Sequence, residues 1–107
     1  MKKLILTTCL TALSLAANAQ YMNGNKLFSD INSSSLSDKN FALGYILGVV
    51  DSYNEELFCI PRSANAGQLR DVVQQYLARN PKDRHLHGGA LVAIALMDVY
   101  PCKKGGV

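Results

Sequence analysis

An all-α fold, a small disulfide-stapled bundle of about four helices, is what this sequence predicts. Three observations carry that expectation. Apolar residues recur at helical spacing in the segments around 41–50 and 69–77. The run Ala90 to Met97 is apolar and alanine-containing, which suits a helix better than a strand. No stretch of the chain shows the alternating pattern of a half-buried strand.

The first residues read as an address and not as structure. Lys2 and Lys3 form a positive start, Leu4 to Ala16 is mostly apolar, and Ala17-Asn18-Ala19 supplies the small-x-small pattern of a cleavage site. That run is shorter than the roughly 20 residues a membrane span requires, so residues 1–19 are expected to be a signal peptide that is removed. Residues 20–107 then form a single domain. Cys9 lacks the leucine and small residues that precede a lipid-modified cysteine, so it leaves with the signal and no stable membrane anchor is expected.

Lys26, Leu27, Phe28 and Ile31 sit at helical spacing and predict a short helix near 24–31. The polar stretch Asn32 to Ser35 follows as a loop. A second helix is expected over 37–55, capped by Ser35 or Ser37 because a hydroxyl accepts from the orphan amides of a first turn. Leu43, Ile46, Leu47 and Val50 make its stripe, widened by Phe41, Tyr45 and Val49. A helix apolar over so much of its circumference belongs in the middle of a bundle. Gly44 and Gly48 share one face, and each costs about 1 kcal/mol against alanine in a helix. They are therefore expected to admit a close neighbouring helix. Pro61 ends the segment.

Asn65 and Gln68 have the spacing of a capping box. Leu69, Val72, Val73, Tyr76 and Leu77 mark one face of the helix that follows, which ends at Asn80-Pro81. The fourth helix is expected from about 87 to 99, buried on most sides and stopped by Pro101.

Removal of the signal takes two lysines, which leaves nine basic side chains against 8 acidic ones. Such a balance gives no electrostatic reason to invoke nucleic acid. It also leaves two cysteines, Cys59 and Cys102, in an oxidising compartment where an even count reads first as a bridge. Each lies just past the end of a strongly apolar helix, beside Pro61 and Pro101 respectively. Two other readings of Cys59 stand beside the strut. As a nucleophile it would need a base, and only His85 and His87 are available, without a Gly-rich turn or oxyanion hole nearby. As a metal ligand it would join His85, His87 or Asp83, but histidines two apart do not share a helix face, and no metal-binding spacing is present. A glycosidase-like carboxylate pair among Asp51, Glu55 and Glu56 is weaker than an acidic helix end. No enzyme activity, cofactor or metal is therefore expected, and a binding or inhibiting protein is left.

Taken in order, "GYILGVVDSY" (44–53), "FCIP" (58–61), "GQLRDVVQQYLARNP" (67–81), "RH" (84–85), "ALVAIAL" (90–96) and "YPC" (100–102) resemble the Rap/Tai family of type VI secretion amidase immunity proteins. The resemblance spans about residues 41–102. It implies a small, exported, all-helical and often dimeric protein that binds a peptidoglycan amidase effector and blocks its cleft, with the catalytic residues on the amidase. It matches Cys59 and Cys102 to the family's bridge, Pro61 and Pro101 to its helix stops, and Gly44 and Gly48 to its close-packed helix. Two departures are an absence of cysteine over 20–58 and Asn65 in place of a threonine.

The expected function is that of a periplasmic immunity protein which protects the producing cell, possessing no reaction centre of its own. The polar turn Lys82, Asp83, Arg84, His85 and His87 is the first candidate for the partner-binding surface, because loops between rigid elements commonly carry binding groups. Its structural alternative has Asp83 capping the next turn with His85 packed beneath. Asp51, Tyr53, Glu55 and Glu56 form a second candidate patch, since carboxylates at a helix C-terminus oppose the helix dipole. The competing functions are a small periplasmic stress chaperone and a helical subunit of an envelope complex.

Overall fold

Four helices and one 3-10 turn make up residues 21–103, the part of the chain that the computed structural model describes. The expected signal peptide, residues 1–19 with Cys9, lies outside the described residues. The helices are α1 (Gly24–Ile31), α2 (Leu36–Tyr53), α3 (Ala66–Arg79) and α4 (Gly88–Val99), with the 3-10 turn Pro81–Asp83 between the last two. Among the described residues there is no named strand, and two isolated bridges join Asn23 to His87 and Asn54 to Phe58. No helix among them is long and apolar enough to cross a membrane.

α1 begins at Asn23, whose side-chain oxygen accepts the Lys26 amide at 2.9 Å. Its other first-turn amides find carbonyls across the fold. Gly24 N–H donates to Leu86 at 3.0 Å and Asn25 N–H to Arg84 at 2.7 Å, which satisfies groups that a helix start otherwise leaves open. This contact requires glycine at position 24, because a Cβ there would lie 2.5 Å from Leu91 Cδ1 and 2.6 Å from the Arg84 carbonyl oxygen. Asp30 is buried, and Lys26 Nζ donates to both of its carboxylate oxygens at 2.7 and 2.8 Å. A buried carboxylate without such a partner would be costly.

α2 starts one residue earlier than expected and ends at Tyr53, with Ser35 as its cap. It buries Ala42, Ile46 and Val50 and half-buries Tyr45, Leu47 and Val49. The opposite face, with Phe41, Gly44 and Gly48, is exposed. The expectation of a central, all-round buried helix therefore does not hold. Among the described residues a Cβ at Gly44 or Gly48 would meet nothing within 4 Å, so the two glycines do not admit another of the described helices.

α3 carries the capping box that Asn65 and Gln68 predicted: Asn65 Oδ1 accepts the Gln68 amide at 2.9 Å, and Gln68 Oε1 accepts the Asn65 amide at 2.8 Å. Leu69, Val73 and Leu77 are buried along it. α4 buries Leu91, Val92, Ala95 and Leu96, but Ile94, Met97 and Val99 are 42–50% exposed. Its expected burial on most sides is corrected to burial on one broad face, because only α2 and α3 flank it closely and the start of α1 meets its first turn. Every helix touches the other three. Phe58, in the turn after α2, fills the core beside Leu27, Ile46, Leu77 and Leu91, and all five are fully buried.

Cys59 and Cys102 form a disulfide with their Cα atoms 4.9 Å apart. The Cys59 amide donates to the Tyr100 carbonyl at 2.8 Å, so the segment beyond α2 and the segment beyond α4 are joined covalently and by backbone. The helix-end strut is the correct reading of Cys59, and with its sulfur in a bridge the Cys59–His85 nucleophile falls away.

Candidate functional site

The polar turn splits into residues that hold the fold and residues that face outward. Arg84 belongs to the first group: its guanidinium carbon lies 4.4 Å from the centre of the Phe28 ring, a cation–π contact that fastens the turn to α1. Its Nε is buried and has no partner among the described residues. Asp83 is half-buried, and its carbonyl accepts the Leu86 amide at 3.0 Å. Among the described residues no hydrogen bond of its carboxylate caps the next turn. Lys82, His85 and His87 are exposed. His85 Nδ1 lies 3.1 Å from the Lys82 carbonyl oxygen, to which its N–H donates.

His87 occupies the N-cap position of α4 but makes no capping bond with its side chain. The Tyr45 hydroxyl of α2 packs against this helix start, where a Cβ added at Gly88 or Gly89 would lie 3.4 or 3.3 Å from it. Burial raises the Tyr45 phenol above its ordinary value of 10.0, and the nearby Gly89 backbone amide opposes this only in part. The contact sets the middle of α2 against the start of α4.

At the far end of α2, Asp51, Tyr53, Glu55 and Glu56 are all exposed. Glu55 has φ 75°, in the left-handed region that favours glycine, and its amide donates to the Phe58 carbonyl at 2.7 Å. The turn that presents the two glutamates is thereby closed, while Phe58 anchors it in the core. Among the described residues the salt bridges are Lys26–Asp30 and Arg70–Asp71, so Asp51, Glu55 and Glu56 have no cationic partner there.

A groove of about 580 Å³ between α2 and α4 joins the two regions. Gly44, Gly48, Val49 and Ser52 form one wall, Gly89, Ala90 and Ala93 the other, and Tyr53, Leu57 and His87 also line it. The structure thus brings Tyr53 and His87, one from each predicted patch, to the same cleft. Lys82, Asp83, Arg84 and His85 do not line it. Leu57, Ala90 and Ala93 were not singled out from sequence as site residues. The available signal was Gly44, Gly48 and Ser52 at four-residue intervals, which puts three small side chains on one side of a helix.

Chemically the groove offers apolar walls of small residues, hydroxyls at Ser52 and Tyr53, an imidazole at His87 and carboxylates at Asp51, Glu55 and Glu56 nearby. Among the described residues no group of three or more His, Cys, Asp or Glu side chains is placed to hold a metal ion. The arrangement suits the docking of a protein surface. The model of one protein family, the Rap1a immunity proteins, matches residues 11–102. No curated protein matches the chain.

Proposed function

The chain belongs to the Rap1a immunity protein family, and from that premise we propose that it binds and blocks a peptidoglycan amidase effector of the type VI secretion system. In this reading it acts in the periplasm after loss of residues 1–19, and the producing cell is protected because the amidase cleft is occluded stoichiometrically. The family match across residues 11–102 carries the reading. The exposed groove and the outward-facing Lys82, His85 and His87 support it, since a protein that acts by occlusion needs an accessible surface on a rigid frame. A homodimer belongs to the same reading, because α4 leaves Ile94 and Met97 exposed on one face, and apolar surface of that kind marks association sites.

The test is growth of a host that directs the amidase effector to its periplasm. Co-production of the full chain should restore growth, and a version lacking residues 1–19 should not. Lysis that proceeds unchanged in the presence of the exported protein would overturn the proposal.

A further inference from the structure

The groove between α2 and α4 is more specific than a generally sticky surface. Its two walls present glycine and alanine, so the backbone of an incoming segment could approach both helices closely. Gly44 and Gly48 face open space among the described residues, yet glycine within a helix costs about 1 kcal/mol against alanine, and no described neighbour explains keeping the space clear. Ser52, Tyr53 and Leu57 line one end of the groove, and their chain neighbours Asp51, Glu55 and Glu56 are exposed beside that end without lining it. These three carboxylates lack a salt bridge among the described residues. They also stand at the negative end of the helix dipole, where anions are disfavoured. A cation supplied from outside would relieve both effects.

We infer that this groove seats an apolar segment of the effector that carries at least one basic side chain. The inference rests on the immunity reading above. The apolar side chains lie against Gly44, Gly48, Ala90 and Ala93, and the basic one meets Glu55, Glu56 and Asp51 at the open end. Charge complementarity sets the direction of the segment, and the narrow small-residue walls exclude bulky close contacts from this chain's own side.

The test uses titration calorimetry with the purified amidase effector that the producing strain's type VI system secretes. The full mature protein is compared with Gly48→Arg and with the double variant Glu55→Lys/Glu56→Lys, each first checked for a cooperative melting transition no lower than that of the unsubstituted protein. Because a side chain at position 48 points into open space, Gly48→Arg should fold. It should weaken binding at least 100-fold, and the double lysine variant at least tenfold. Raising salt should weaken the wild-type complex and not that of the lysine variant. Wild-type binding that both variants reproduce would overturn the inference while leaving the immunity reading intact. Wild-type protein that binds no effector would overturn both. A wild-type dimer that Gly48→Arg converts to monomer, with effector binding preserved, would assign the groove to a second copy and overturn the inference alone.

Discussion

Tyr53 at the end of α2 and His87 at the start of α4 line one groove, although they belong to separate polar segments of the chain. Their meeting follows from the packing of α2 on α4, where the Tyr45 hydroxyl lies against Gly88 and Gly89 at one end and the Cys59–Cys102 bridge secures the chain beyond the other. The shape of the site is therefore a property of two helix contacts, and each contact is open to measurement.

Glycine substitutions should separate the groove from the core. Gly44→Ala and Gly48→Ala each place a methyl group in open space, and each should stabilise the fold by up to about 1 kcal/mol through helix propensity. Gly24→Ala should destabilise it, since its Cβ would strike Leu91 and the Arg84 backbone. Urea unfolding of the three variants checks both signs. Equal effects at positions 24 and 48 would contradict the packing described.

Loss of the bridge should cost about 4 kcal/mol in the chain-entropy model for a loop with a sequence separation of 43. Cys59→Ser/Cys102→Ser, or the wild type under reductant, should show that loss as a lower urea midpoint. Since a small domain has only modest total stability, partial unfolding at growth temperature is the expected consequence. A midpoint unmoved by reductant would contradict it.

Tyr45 and Lys26 make stability fall at alkaline pH. Both groups have folded pKa values above their ordinary ones: Lys26 chiefly because Asp30 accepts a hydrogen bond from its ammonium, Tyr45 chiefly because it is buried. A raised folded value means that the unfolded chain releases its proton first. The stability they contribute is thus complete below about pH 10 and is lost as pH rises through the folded values. Tyr45→Phe should remove the tyrosine share of this loss. Unfolding free energy measured from pH 7 to 11 should fall less steeply in that variant, and an unchanged slope would contradict the burial of Tyr45.

Phe58→Ala should be the most damaging change outside the helices. The ring is fully buried, and truncating a core phenylalanine costs about 3–5 kcal/mol. The same change would loosen the Asn54–Phe58 turn that carries Glu55 and Glu56. Effector affinity should fall with stability, in contrast to Glu55→Lys/Glu56→Lys, which should lower affinity alone.

Much of the fold was legible in the sequence because its signals are local. Asn65 and Gln68 cap α3 through bonds three residues apart, and Pro81 and Pro101 fall just beyond helix ends. Pro61 does not stop α2, which already ends at Tyr53. Cysteine parity and helix-end placement led to the bridge. The groove was not legible, since it depends on which side of α2 meets α4. A helix with apolar residues around most of its circumference carries no periodic signal to decide that, so Gly44 and Gly48 were assigned to the wrong side. Arg84 was likewise placed with the outward-facing turn because its stacking on Phe28 joins residues distant in sequence. The same holds for the contact of Tyr45 with Gly89. Nothing local marks Phe58 as a core residue, since it lies in a turn between Leu57, which is exposed, and Cys59.

Stoichiometric inhibition is the most direct measure of the central claim. Peptidoglycan hydrolysis by the purified amidase effector should fall linearly as the mature protein is added and reach zero near one chain per enzyme. Hydrolysis that continues undiminished in tenfold excess of the folded, disulfide-bonded protein would contradict the account.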